Sequence, residues 1–145
     1  NGNGDPTDDS PRLVTLEEFF VGRDPAARIL LVTASAGWCG ACQEEAPILA
    51  DMYRDYAGRG GRMVTTLMET TSGAPGTVDF ARSWAQSFDL PFPVVADPSD
   101  LLADYYVENS IPMNMFIDLQ TMKIIEVWHG FGRSDAEEVF DAYVD

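Results

Sequence analysis

At 145 residues and 46% hydrophobic, the chain has the size of one ordinary domain and can bury a core without help from disulfides or metal, so its two cysteines are available for other work. Nine Lys and Arg against 24 Asp and Glu give a formal net charge of −15, which repels phosphate backbones and anionic lipid surfaces and excludes nucleic acid as a partner. No apolar run approaches the ~20 residues of a membrane span, and the acid excess reads as a solvated surface before it reads as a docking patch for a basic partner.

The first residues, NGNGDPTDDSPR, lack the basic and apolar parts of a signal peptide. Residues 1–11 carry no apolar period and read as a flexible tether, with the domain proper at 12–145. The chain starts without Met, which fits a removed signal or lipid-anchored leader, and so a membrane tether upstream of residue 1, or a cloning boundary. In LVTLEEFFVG an extended entry leads into one helical turn, with Thr15 and Glu18 spaced as a capping box. RILLVTAS, residues 28 to 35, is a continuous apolar run of strand length and is expected as the central strand, covered on both faces.

From Cys39 the pattern becomes helical. Ala46, Leu49, Ala50, Tyr53 and Ala57 fall on one side, and Gln43, Glu44, Glu45, Asp51 and Asp55 are expected away from it. The glycines of AGRGGR end that helix. MVTTLME is the second strand; a Gly/Pro loop, TTSGAPGT, leads to a helix over about Val78 to Phe88 whose Phe80, Trp84 and Phe88 read as core. FPVVAD is a third strand, and PSDLLADYYV a short helix capped by Ser99. MNMFIDL and KIIEVWHG read as a hairpin joined by QT, and RSDAEEVFDAYVD as a closing helix with Ser134 as cap and Glu137 at the capping-box position. That order predicts an α/β fold: a mixed central β-sheet with helices on both faces.

Both cysteines lie in SAGWCGACQEEAP, between the central strand and its helix. There the helix N-terminus stabilises a thiolate on Cys39 and lowers its pKa below the ~8.5 of a free thiol. Cys39 is then the attacking sulfur and Cys42, one turn into the helix and more buried, the resolving one. Two other readings are weaker. Zinc needs about four ligands, and two cysteines with His129, the one histidine, would still need a carboxylate. As a staple, a disulfide around two residues closes too small a loop to gain much chain entropy. No metal and no cofactor are expected, and His129, at a strand end, is expected to be structural or on the surface.

WCGAC after an apolar strand, with Pro47 five residues beyond the second cysteine, resembles the active site of the thioredoxin superfamily, and SIPMNMFID resembles the segment that places a cis-proline opposite the cysteines. The resemblance covers about residues 13 to 145 and implies a thioredoxin-like fold, with Ile111-Pro112 as the cis bond and Gly130 as a packing glycine. The insert FPVVADPSDLLADYYVENSIP is most similar to the TlpA and ResA branch of extracytoplasmic, often membrane-tethered thiol-disulfide oxidoreductases, and is related in part to that of AhpC/TSA peroxiredoxins. The activity implied is exchange of the Cys39-Cys42 couple with protein thiols or disulfides and with a redox partner protein, by a monomer, in an extracytoplasmic compartment. A cis X-Pro bond leaves the backbone groups of the preceding residue beside the sulfurs, where an extended substrate would pair with Ile111. Trp38 would cover the sulfurs and offer an apolar docking surface, though packing alone would also explain it.

The chain departs from those relatives in three places. Gly40 and Ala41 replace the Gly-Pro of thioredoxins, and the intervening pair tunes the redox poise. Thr33 stands six residues before Cys39, where thioredoxins bury an Asp; Glu69, near the position of an active-site glutamate in the ResA branch, is the candidate proton acceptor for Cys42. Ala36 stands where peroxiredoxins carry a Thr or Ser. Thiol peroxidase is therefore the alternative activity, and a non-catalytic thioredoxin-fold module holding peptide between Trp38 and Pro112 is the alternative class.

Overall fold

The computed structural model describes residues 11–20, 22–107 and 110–144. Apart from Pro11, the tether expected at residues 1–11 lies outside them. Every residue of β1, Ile29–Ala36, is buried, as a near-continuous apolar run at the centre of a sheet requires. It pairs in parallel with β2, Gly61–Glu69, and antiparallel with β4, Met113–Asp118. β3, Val94–Ala96, joins β2 in parallel and β5, Lys123–His129, joins β4 antiparallel. The resulting order is β3-β2-β1-β4-β5, with α1 at Gly40–Tyr56, α2 at Val78–Ser87 and α3 at Arg133–Asp141.

Strand alternation divides the core into two layers. Ile29, Leu31, Met63 and Phe116 face one way and pack with Leu49 and Met52 of α1, Trp84 of α2 and Phe140 of α3. Leu30, Val32, Val64, Met115 and Ile117 face the other way and meet Phe19, Leu102 and Tyr106. Helical segments thus cover both faces, but on the second face, among the described residues, they are only the 3-10 turns Leu16–Phe19 and Ala103–Tyr105. This thin layer leaves a groove of about 1080 Å³ over Val32, Val64 and Met115.

Several local expectations change. The Glu18 carboxylate does accept from the Thr15 N–H, at 3.0 Å. Ser99 caps nothing among the described residues: the Asp97 carboxylate takes the Leu101 N–H at 2.9 Å, and this Asp-centred turn reaches only a 3-10 turn beyond it. α3 starts two residues before the expected cap at Ser134, with Gly132 as its cap, and Glu137 is drawn to Arg133 at 2.7 Å, an i, i+4 ion pair that replaces the capping box. The β4–β5 connection is longer than QT and includes Met122 at φ 56°.

The largest correction is on α1. Gln43, Glu44, Asp51 and Asp55 are exposed, but Glu45 is only 3% exposed. It lies three residues after Cys42 and four before Leu49, on the buried stripe with Ala46, Met52 and Tyr56, so the 3.6-residue period places it inside in spite of its charge.

Candidate active site

β1 leads straight into the site. Gly37 donates its N–H to the Glu69 carbonyl at 2.9 Å, and its own carbonyl accepts from the Gln43 side-chain amide, also at 2.9 Å. A Cβ on Gly37 would stand 2.5 Å from both the Phe80 ring and the Thr71 nitrogen, so glycine is the residue that fits. Cys39 then caps α1: its sulfur accepts the Cys42 N–H at 3.1 Å. That bond and the positive end of the helix both stabilise negative charge on Cys39.

Cys39 and Cys42 are joined in a disulfide, with their Cα atoms 5.2 Å apart. Both are buried, Cys39 at 5% and Cys42 at 2% exposure, while Gly40 and Ala41 between them are exposed. The Ile111 carbonyl lies 3.8 Å from the Cys39 sulfur. Ile111-Pro112 is cis; Ile111 is half-buried and Pro112 buried. The Pro112 carbonyl accepts from the Gly130 N–H at 2.8 Å. A Cβ on Gly130 would meet nothing within 4 Å, yet its φ is +87°, so this glycine answers a backbone requirement rather than tight packing.

The two carboxylates near the site hold different positions from those expected. Glu69 accepts the Trp38 indole N–H at 2.6 Å, which holds the 41%-exposed Trp38 ring at the rim. The carboxyl in apolar surroundings is Glu45. Burial pushes its pKa up to about 8, while the Asn114 amide facing it favours the charged form. That amide is not in full hydrogen-bonding geometry, and both Glu45 oxygens lack a hydrogen-bond partner among the described residues. Asn114 is wholly buried; its Oδ1 accepts from the Thr33 hydroxyl at 2.8 Å and its Nδ2 donates to the Gly130 carbonyl at 3.0 Å.

Cys39, Cys42, Trp38, Ile111, Pro112 and Glu69 therefore meet at one end of the sheet, and Glu45, Asn114 and Gly37 join them unforeseen. The signal for Asn114 was a lone amide inside MNMFID, a polar residue within an apolar strand. Ala36 is buried at the end of β1 and His129 is exposed at the end of β5. No group of three or more His, Cys, Asp or Glu is placed to hold a metal ion among the described residues.

A model of the AhpC/TSA family matches residues 6–126. The chain belongs to the AhpC/TSA family. Among the proteins similar to this AhpC/TSA chain is the thioredoxin-like protein YneN of Bacillus subtilis, 28% identical over 96 residues, which span 66% of this chain and 54% of that protein. The thiol-disulfide oxidoreductase ResA of Oceanobacillus iheyensis is 29% identical over 82 residues, 57% of this chain and 40% of that protein. The chain spans about half the length of these curated relatives. In fold it matches the crystal structure of a DsbF homologue from Corynebacterium diphtheriae with a TM-score of 0.73, at 18% identity over 92% of this chain and 80% of that one. The fold of this AhpC/TSA member is the expected α/β, thioredoxin-like one.

Proposed function

We propose that the chain is a thiol-disulfide oxidoreductase that exchanges the Cys39-Cys42 couple with cysteines of protein partners and is recharged by a redox partner protein. The observation that carries this reading is the Cys39 sulfur at the N-cap of α1, 3.1 Å from the Cys42 N–H and 3.8 Å from the Ile111 carbonyl. In the reducing direction the Cys39 thiolate attacks one sulfur of a substrate disulfide; the Cys39–substrate bond forms, the substrate S–S bond breaks, and the other substrate sulfur leaves as a thiolate and takes up a proton. Cys42, deprotonated, then attacks the Cys39 sulfur, which closes the Cys39-Cys42 disulfide and releases the second substrate thiolate. Two electrons pass to the substrate; run backwards, the same steps oxidise a substrate dithiol.

Glu45 takes the Cys42 proton in this reading. A carboxyl held near 8 by burial exchanges protons with a thiol of pKa ~8.5 at little cost in free energy, and its position one turn beyond Cys42 places it on the same side of α1. Glu69 is assigned instead to holding Trp38. Trp38, Ile111 and Pro112 form the substrate contact, and Gly40 and Ala41 tune the potential. The similarity to ResA supports an extracytoplasmic setting, and no helix among the described residues is long and apolar enough to cross a membrane. The peroxidase reading lacks support at Ala36, which offers no hydroxyl beside Cys39.

The deciding experiment is equilibration of the couple in glutathione buffers, read by thiol alkylation, together with trapping of a model disulfide substrate by Cys42→Ser. A measurable potential between about −270 and −120 mV and a mixed disulfide formed through Cys39 are expected. A couple that glutathione and dithiols neither reduce nor reoxidise overturns the reading and leaves a peptide-holding module.

A further inference from the structure

Asn114 is a buried amide in the middle of an apolar strand, and two of its four hydrogen-bonding positions are taken. Its oxygen is taken by the Thr33 hydroxyl across the β1–β4 ladder and one amide hydrogen by the Gly130 carbonyl. These two bonds fix which way the amide points, since the flipped rotamer would set its oxygen against the Gly130 carbonyl. The second amide hydrogen is left over, and the group it faces is the Glu45 carboxyl, whose oxygens have no other partner among the described residues.

Among the described residues, no charged group pairs with that carboxyl. Arg133 and Asp141 of α3 meet Asp55 and Tyr56, about three turns further along α1. Glu69 of β2 is engaged with Trp38, His129 ends β5 exposed to solvent, and Thr33 of β1 carries only its hydroxyl. Cys42 lies one turn back on the same side of α1, and Tyr56, the other titratable group on that buried stripe, lies about three turns further on.

We propose that Asn114 is a positioning residue for the resolving half-reaction: held by Thr33 and Gly130, its amide aligns the Glu45 carboxylate for proton transfer from Cys42. The inference rests on the assignment of Glu45 as proton acceptor made above. Through Gly130, whose N–H also holds the Pro112 carbonyl, the same amide ties the buried carboxylate to the loop that contacts substrate.

The test is the pH profile of Cys42 attack on a Cys39–glutathione mixed disulfide, an internal step free of substrate affinity. It is measured in wild type, Asn114→Leu, Thr33→Val, Glu45→Gln and the Glu45→Gln/Asn114→Leu double variant. Losing a donor that favours the charged carboxylate raises the pH at which it ionises, so Asn114→Leu is expected to slow the step at neutral pH roughly 3- to 10-fold and to move the inflection upward. Thr33→Val, which releases the amide but leaves it in place, is expected to shift the profile the same way by less, and it decides the matter if Asn114→Leu does not fold. In the Glu45→Gln background, Asn114→Leu is expected to move nothing further. If Glu45→Gln abolishes the inflection while Asn114→Leu and Thr33→Val keep the wild-type profile, the positioning role is wrong and the role of Glu45 stands. If Glu45→Gln itself keeps the wild-type inflection, the role of Glu45 is wrong and the inference falls with it.

Discussion

Glu45→Gln should make the oxidised protein more stable in alkali, by an amount that grows with pH. The Glu45 carboxyl titrates at 4.5 in the unfolded chain and at about 8 in the fold because burial disfavours its charged form. Below 4.5 both states hold the proton and pH has no leverage. Between the two values the folded protein keeps a proton that the unfolded chain has lost, so stability falls as pH rises, by about 1.4 kcal/mol per pH unit, and levels off above the folded value. The whole window is worth about 3–5 kcal/mol, the lower figure allowing for relaxation around the charge and water entry. Gln is close to Glu in shape and cannot ionise, so the variant lacks this slope. The raised Asp97 carboxyl contributes in the same sense but is common to both proteins and cancels in the difference. Urea unfolding of the disulfide form at several values from about pH 5 to about pH 9 measures the gap. Curves that run parallel across that range would refute the burial of an unpartnered carboxyl at this position.

Glu69→Ala frees the Trp38 indole and is expected to raise KM for a protein disulfide several-fold while leaving kcat, and exchange with a small thiol, near wild type. Steady-state kinetics with both substrates separate these effects. Gly37→Ala forces a methyl against the Phe80 ring and the Thr71 backbone, each 2.5 Å away, and is expected to cost about 2–4 kcal/mol in denaturant unfolding. Asp24 accepts from Arg62 at 2.7 Å, and this hydrogen bond leads the causes that hold its carboxyl below the usual range. Asp24→Asn is therefore expected to cost about 1 kcal/mol at neutral pH. That loss is constant above about pH 4 and fades as acid protonates Asp24 in the wild type, which acid unfolding of the two proteins would show.

The sheet was legible because its strands are clear: residues 29 to 32 are an unbroken apolar run that gives β1 no solvent face, and the cysteine pair between strand and helix showed where the sulfurs stand. The largest error came from one weighting. On α1, charge was allowed to overrule spacing, so Glu45 was assigned to solvent and the proton-acceptor role proposed above for it was given to Glu69, the next glutamate along the chain. Glu69 does reach the site, but as an acceptor for an indole, a relation between positions 31 residues apart in sequence that no local pattern encodes. Asn114 was missed for the opposite reason. Its strand was read for apolar content, and the one amide in it makes sense only when Thr33 and Gly130 are seen on either side. The capping errors at Ser99 and Ser134 share a cause: competing side chains, Asp97 and Arg133, claimed the groups on which each cap depended.

The unequal cover of the two sheet faces sets the order in which the molecule opens. β1 and α1, which carry the couple, are buried among long helices, whereas the far layer consists of single 3-10 turns, and β3 adds only three residues at the edge of the sheet. Local opening is least costly where few apolar contacts are lost. Amide protons of β3 and of the 101–107 segment should therefore exchange with solvent well before those of β1. The frame that holds the two cysteines would then outlast its own periphery, and a partially opened form would still present Cys39 at the cap of α1.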